Sequence, residues 1–213
     1  MTRTAFPLLG PRKTPVQARS AVTVDAILSA TIQVLLAEGQ ERLTTTRVAY
    51  RAGVSVGTLY QYFPNKQALL RAVLERHLDE VVSSLERACR EHHGCPLDEM
   101  ASGVITAFLD AKMKSVRTSA ALYAVAADVD GYRISLEAGR RTCDALATML
   151  ASATAELATE PTRLAELLHG AMTGIARRLI ESPTPHKLHE SYRAELIRLV
   201  SAYLAASTRR PAL

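Results

Sequence analysis

Residues 44–66 read TTTRVAYRAGVSVGTLYQYFPNK, and this stretch decides the fold of the N-terminal third of the chain. The threonines at its start can cap a helix that continues to Ala52. Gly53 follows where the chain must turn sharply, because a residue without Cβ adopts a positive φ at low cost. Ser55 can then cap a second, short helix that ends before Pro64. Two short helices joined by a glycine-containing turn predict a helix-turn-helix unit.

The outer face of the second helix carries side chains that can read DNA bases. Gln61 can form two hydrogen bonds with adenine, Val56 can contact a thymine methyl group, and Gly57 allows close approach of the backbone. Hydroxyl and ammonium groups at helix starts and edges are the chemistry that binds phosphate oxygens. The predicted phosphate contacts are therefore Thr45, Thr58, Tyr60, Tyr62 and Lys66, and Arg47 suits either role.

Residues 22–80 resemble the DNA-binding domain of the tetracycline-repressor (TetR) family of bacterial regulators. The segment AGVSVGTLYQYFPNKQALL, preceded by TTTRVA and followed by a long helix, is similar to that family's signature at nearly every position. The resemblance implies an all-helical homodimer, with three N-terminal helices for DNA and a variable C-terminal domain for dimerisation and a small ligand. It also implies DNA contacts by Thr45, Thr46, Arg47, Val56, Gly57, Thr58, Tyr60, Gln61, Tyr62 and Lys66.

The positive charge of the chain is concentrated near its N-terminus. The chain has 26 basic and 21 acidic side chains. Residues 1–71 contain only the acids Asp25, Glu38 and Glu41, against the bases Arg3, Arg12, Lys13, Arg19, Arg42, Arg47, Arg51, Lys66 and Arg71. We therefore expect this region to meet a polyanion. Three prolines within residues 1–19 exclude a helix there and indicate a flexible basic arm, whose contact with DNA stays open.

Several other protein classes are disfavoured by the sequence. The longest unbroken apolar run, residues 120–127, is far shorter than the ~20 residues of a membrane helix. The apolar stretch near the start is too short for a signal peptide. Three cysteines, an odd and sparse set, favour a reducing cytoplasm. Because the motifs of phosphate-binding loops, serine hydrolases and zinc proteases do not occur, we expect a regulator without a cofactor rather than an enzyme.

Helical periodicity through the chain predicts an all-α protein of about nine helices. We expect the first helix to start near Val22 and to end at Gly39 in a left-handed cap. A fourth helix should run from Lys66 to about Glu91. The later helices are predicted at 97–114, 117–127, 131–157, 162–181 and 188–207. The predicted domains are the arm (1–19), the helix-turn-helix domain (20–66) and the ligand-binding and dimerisation domain (67–213).

The last two helices are predicted to form a homodimer interface, the arrangement that the family resemblance implies. Their apolar stripes are wide enough to face both the rest of the domain and a partner. Two glycines four residues apart flatten one helix face, so that another backbone can approach. The predicted interface residues are Leu164, Leu168, Gly170, Gly174, Ile175, Leu196, Leu199 and Tyr203.

The middle helices are expected to enclose a small, apolar effector. Their methionines and aromatic residues offer adaptable walls. The predicted wall residues are Ile105, Phe108, Leu109, Met113, Tyr123, Tyr132, Met149 and Met172. The polar residues that could orient a ligand are Asp110, Lys112, Arg117 and His169, without discrimination among them.

Two alternatives to a ligand-responsive DNA-binding repressor remain open. Cys89, His92 and His93 share a helical face, and Cys95 follows at the helix end, which would suit a metal- or thiol-sensing regulator. The other alternative is a helical small-molecule carrier that does not bind DNA, against which the basic N-terminal region weighs.

Overall fold

The computed structural model describes residues 18–126 and 129–209, and these residues form nine α-helices and no strand. The all-α expectation is confirmed. An isolated antiparallel bridge pairs Leu157 with Thr208. The helices are α1 (Ala18–Arg42), α2 (Thr45–Ala52), α3 (Val56–Tyr62), α4 (Lys66–Glu91), α5 (Leu97–Met113), α6 (Val116–Val125), α7 (Gly131–Ala151), α8 (Pro161–Ile180) and α9 (Pro185–Ala206).

The chain divides into two compact units. The first unit extends to His77 and also includes Ala120–Ile134, and the second contains Leu78–Ser119 and the residues from Ser135 onward. The boundary falls inside α4 rather than at its start, where the sequence places it. Residues 1–17 of the predicted arm lie outside the described residues, and the last two residues of that segment belong to α1.

The first unit is built on the helix-turn-helix and on the helix that precedes it. Helix α1 packs against α2, and α2 packs against α3. Ile27 and Val34 of α1 are buried, as are Leu59 of α3 and Phe63 just after it. Buried Thr31 donates its hydroxyl to the backbone oxygen of Ile27, at 2.8 Å, so that no polar group of this side chain is left unpaired in the core.

Gly39 breaks the regular helical backbone of α1, as predicted, and forms a kink there. Its φ of 79° is positive, as predicted, but its ψ of 170° lies outside the left-handed helical region. The chain resumes a helical turn that reaches Arg42. The prediction of a left-handed cap is therefore wrong in its geometry, and the predicted start of α1 is also four residues too late.

By length and composition alone, Ser20–Arg42 is apolar enough to cross a membrane, since an 18-residue window within it has a mean hydropathy of 1.7. The search for unbroken apolar runs missed this helix because polar residues interrupt it. The apolar residues Ile27, Leu28, Val34 and Leu35 are buried within the first unit. The core of the unit therefore accounts for the hydropathy of α1.

The second unit has a core to which α5, α8 and α9 contribute, and these three helices pack against one another. Helix α7 ends at Ala151, six residues earlier than predicted. The hydroxyl of Ser152 bonds to the backbone oxygen of Met149 at its end. The following segment instead pairs with the end of the chain, where the amide of Ala158 donates to the backbone oxygen of Ser207 at 2.7 Å.

Pro161 and Pro185 stand in the first turn of α8 and α9. The predicted start of α8 at residue 162 is one residue late, and that of α9 at residue 188 is three residues late. Proline at the first helical position lacks only an N–H that would have no partner there, and its fixed φ suits a helix.

We predict that Gly39→Ala destabilises the protein by about 1–3 kcal/mol, because the Gly39 conformation is one that only glycine adopts readily. Urea or thermal unfolding measures this change. Gly57→Ala is the control in the same unit, since a Cβ there meets nothing closer than 3.8 Å, and it should stabilise the helix by up to ~1 kcal/mol. Equal effects of the two substitutions would contradict the role assigned to Gly39.

Candidate nucleic-acid interface

The turn between α2 and α3 is closed by backbone hydrogen bonds around Gly53. Gly53 has φ 69° and ψ 29°, the left-handed conformation that the sequence predicts. Its amide donates to the backbone oxygen of Tyr50 at 3.2 Å, and the amide of Val54 donates to that of Ala49 at 3.0 Å. This is the Schellman pattern, which satisfies the last carbonyl groups of a helix while reversing the chain direction.

The caps of the neighbouring helices confirm the other local predictions. The Thr44 hydroxyl accepts a hydrogen bond from the amide of Arg47, and Ser55 Oγ accepts one from the amide of Thr58. Asn65 Oδ1 accepts one from the amide of Ala68 at the start of α4, at 2.8 Å. Each cap fixes where its helix begins, so the orientation of α3 around its own axis is set locally.

Helix α3 presents the predicted base-reading residues to solvent. Leu59 is fully buried, whereas Val56, Gly57 and Gln61 are exposed. Tyr60 is 41% exposed. Of the other predicted contacts, Thr46 and Arg47 are exposed, and Thr45, Thr58, Tyr62 and Lys66 are half-buried. The structure thus brings the ten residues onto α2, α3 and the first residue of α4, within the first unit.

Two of the predicted phosphate contacts bond to each other. Thr45 Oγ1 and Tyr60 Oη lie 3.0 Å apart, joining the first turn of α2 to α3. Thr58 Oγ1 lies 2.8 Å from Ser55 Oγ, inside the cap of α3. These hydroxyls therefore have positions fixed before any ligand arrives, and each keeps a lone pair or a proton for a further partner.

The two predicted phosphate-binding cations are held at the end of α1. Arg47 Nη1 lies 2.5 Å from Glu38 Oε2 and donates to the backbone oxygen of Arg42 at 2.8 Å. Lys66 Nζ donates to the backbone oxygen of Gln40. The last carbonyl groups of a helix attract cations in this way. Lys66 thus has a structural role in addition to the phosphate contact predicted for it.

Tyr50 was not singled out from the sequence, although its side chain on α2 is 90% exposed. Its aromatic character is typical of a core residue, and the helical spacing alone does not separate it from its buried neighbours Val48 and Ala49. Glu38 was also missed, because nothing in the spacing shows that it meets Arg47.

The predicted ligand walls do not come together as one set. Ile105, Phe108, Leu109, Met113, Met149 and Met172 belong to the core of the second unit. Tyr123 and Tyr132 belong to the first unit instead and are 39% and 77% exposed. These two tyrosines therefore belong to a different unit from the six core residues.

Lys112 stands out among the polar candidates for orienting a ligand. It is 5% exposed, and its Nζ lies 5.8 Å from the centre of the Phe108 ring. Burial lowers the pKa of Lys112 to about 8. Burial and the nearby Lys112 charge lower the pKa of His169. Asp110 instead lies 3.3 Å from His189 Nε2 and 3.6 Å from Arg193 Nη1.

Cys89 of α4, and His92 and His93 just after that helix, belong to no metal-binding group of three or more among the residues that the structure describes. His92 Nδ1 lies 2.9 Å from the backbone oxygen of Ala88. Cys89 is 4% exposed, and burial together with Glu86 raises its pKa to about 12. A thiol held neutral in this way is a poor nucleophile and metal ligand.

Half of the predicted dimer residues are committed to the core of their own chain. Leu164, Leu168 and Leu196 are buried there, and half-buried Ile175 packs against the same core. Gly170, Gly174, Leu199 and Tyr203 are exposed. Leu167, which the sequence analysis did not include, is 53% exposed on α8. The apolar stripes point mainly inward, since α8 buries seven residues and α9 buries three.

Two family models match the chain. Residues 27–73 match the bacterial regulatory proteins of the tetR family, and residues 96–204 match the tetracyclin repressor-like C-terminal domain. The chain belongs to the TetR family. The first match covers the helix-turn-helix and its flanking helices, and the second covers most of α5 to α9.

Curated relatives align with part of the chain. KstR, a transcriptional repressor of Mycolicibacterium smegmatis, is 42% identical over 62 residues, which are 29% of this chain and 30% of KstR. FasR, a transcriptional activator of the same organism, is 41% identical over 64 residues, 30% of this chain and 29% of FasR. The regulator SAR0097 of Staphylococcus aureus is 29% identical over 94 residues, 43% of this chain. The matched segment is about half of SAR0097 and less than a third of the other two.

Solved structures of TetR-family regulators share the fold over most of the chain. A family member from Mesorhizobium loti has a TM-score of 0.72 at 17% identity, covering 91% of this chain and all of that one. SmeT, the repressor of a multidrug efflux pump of Stenotrophomonas maltophilia, has a TM-score of 0.65 at 20% identity, covering 88% and 93%. At such identities the likeness shows the fold alone.

Binding of a phosphate by Arg47 would have to compete with Glu38. We predict that Glu38→Gln raises the affinity for any duplex about two- to fivefold and steepens its dependence on salt by about one unit, because a partly exposed ion pair is weak and Arg47 is released. Fluorescence anisotropy at several salt concentrations measures both quantities.

Glu41→Gln is the matched control for this substitution. It removes the same charge from the last turn of α1, and Glu41 is exposed and makes no ion pair with the residues that the structure describes. If both variants change duplex affinity equally, general electrostatics rather than release of Arg47 explains the effect.

We predict that Lys112 makes stability depend on pH. Its pKa is 10.5 when unfolded and about 8 when folded, so between these values the unfolded state binds more protons and stability rises with pH. Compared with Lys112→Met, the protein should gain up to about 3 kcal/mol across this range. Urea unfolding at a series of pH values tests it, and parallel curves for the two proteins would contradict the low pKa.

Proposed function

We propose that this chain is a ligand-responsive transcriptional regulator that acts in the cytoplasm and binds duplex DNA through α3 and the start of α2. The observation that carries this proposal is the exposed face of α3, where Val56, Gly57 and Gln61 are open to solvent while buried Leu59 anchors the helix. A helix held in this way, in a basic region, is suited to the major groove.

The second part of the proposal is a homodimer formed through α8 and α9. Leu199 is 63% exposed and Leu167 53% exposed, and a Cβ added at Gly170 or Gly174 would meet nothing within 4 Å. Exposed leucines beside glycines that leave the backbone bare form a surface that a second copy can approach closely. Two copies of α3 would then read a palindromic operator with half-sites about one helical turn apart, roughly 34 Å.

The third part is repression that a small apolar effector relieves. A dimer that covers its operator excludes other proteins from that DNA without making further contacts, whereas activation needs an additional binding surface. KstR is a repressor and FasR an activator, so relatives of both kinds align with part of this chain. SmeT has been crystallised with triclosan, which supports an apolar effector. A tenfold loss of DNA affinity needs about 1.4 kcal/mol of differential binding.

We predict that Leu199→Glu converts the dimer into a monomer, because a buried unpaired carboxylate is costly at an apolar interface. Light scattering should give the mass of one chain for this variant and of two chains for the wild type. The affinity of this variant for a duplex with two half-sites should also fall, because each monomer then binds one half-site independently.

Leu136→Glu is the control, since Leu136 is also exposed (53%) but lies on α7. It should leave the mass at two chains. A Leu199→Glu protein that still has the mass of two chains, or wild type that is a monomer at micromolar concentration, would overturn the proposed interface.

A further inference from the structure

A cleft of about 400 Å³ lies between the second half of α4 and α7, in the second unit. Its volume is within the range of small-molecule sites, about 300–1,000 Å³. It is separate from the predicted ligand walls, of which Met149 alone lines it. The lining residues are Glu86, Cys89, Arg90, His93, Arg141, Asp144, Ala145, Thr148 and Met149.

The floor of the cleft is apolar. Cys89 and Met149 are 4% and 1% exposed, and Ala145 is half-buried between them and the surface. The raised pKa of Cys89 keeps its thiol neutral, so it acts here as a small apolar group. The hydroxyl of Thr148 is turned back to the backbone oxygen of Asp144, at 2.8 Å. The floor therefore suits a hydrocarbon chain or ring rather than a polar ligand.

The acidic groups of the rim are already paired. Arg141 holds Glu86 at 3.0 Å and Asp79 at 2.7 Å, and Arg140 holds Asp144 at 2.8 Å. Arg90 and His93, by contrast, make no ion pair with any residue in the ranges 18–126 and 129–209. Arg141 is shared by two carboxylates, so Arg90, in the last turn of α4, is the arginine of the cleft lining whose charge no carboxylate of the described residues pairs.

We propose that this cleft binds an amphipathic organic carboxylate, with its apolar chain on Cys89, Ala145 and Met149 and its carboxylate at Arg90. The inference rests on the proposed ligand-responsive function, for which it names the chemical class of the effector. Arg90 forms a charge-assisted hydrogen bond with the carboxylate, and His93 adds a second donor at the same end.

Octanoate is a suitable probe, and ¹³C-methyl labelling of methionine gives a direct readout because the chain has five methionines. Met149 lines the cleft, whereas Met100, Met113 and Met172 are buried in the core of the second unit. We expect octanoate to shift the Met149 methyl resonance saturably and to leave the other three nearly unchanged. An absence of saturable shifts, or larger shifts at Met113 and Met172, would overturn the assignment.

Substitutions at the rim and floor test the two halves of the site. Arg90→Gln should weaken octanoate binding about tenfold while leaving binding of octanol unchanged. Arg87→Gln is the control, because Arg87 is an exposed arginine of the same helix that does not line the cleft. Ala145→Leu should fill the floor and abolish binding of both probes, with the thermal unfolding midpoint retained. Equal losses in the two arginine variants would overturn the role of Arg90.

Duplex binding without octanoate separates this proposal from the proposed function. If the protein binds no duplex but Met149 still shifts, the regulator function fails and the site stands. If the protein binds a duplex and octanoate shifts Met149 without lowering duplex affinity, the effector role is overturned. If octanoate lowers the duplex affinity of the wild type but not that of Ala145→Leu, the result supports both the regulator function and the effector site.

Discussion

The left-handed turn at Gly53 is the constraint on which the first unit depends. Two backbone hydrogen bonds close the end of α2 there, and the chain then needs only Val54 and the Ser55 cap before α3 begins. A residue with a Cβ would pay roughly 1–2 kcal/mol for this conformation. Because the turn is so short, the side of α3 that faces inward is fixed, and Leu59 anchors it. The exposed side of α3 follows from that anchor.

Electrostatic contacts at the end of α1 help to hold α2 and α4 in this arrangement. Its terminal carbonyl groups and Glu38 bind Arg47 of α2 and Lys66 of α4. The same cations that would meet phosphate groups therefore help to hold three helices together in the free protein. Gly39, with its unusual backbone conformation, leads α1 into the turn that supplies those carbonyl groups. Stability of the unit and affinity for a polyanion are thus coupled through a few shared donors.

Local signals explain which features could be predicted from the sequence. The caps at Thr44, Ser55 and Asn65 each join residues three positions apart, so they can be predicted from the local sequence. The positive φ at Gly53 depends on a single residue and can be predicted in the same way. Pairs such as Lys66 with Gln40 join residues far apart in sequence and leave no periodic trace. The apolar spacing likewise shows that Leu164 and Leu196 lie on an apolar helix face. It does not show whether that face packs against the core of the same chain, as it does here, or against a partner. Tyr132 is likewise predicted to line the ligand site, but the sequence does not show that the boundary between the units falls within α7 and places Tyr132 in the first unit.

Selection of bound duplexes from a random library, at two salt concentrations, tests the central claim that the exposed face of α3 reads DNA. We predict that wild-type protein enriches an inverted repeat, less strongly at the higher salt, and that Gln61→Ala enriches a repeat with a changed base preference. Identical repeats for the two proteins would show that Gln61 reads no base. Failure to enrich any sequence at either salt concentration would contradict the account as a whole.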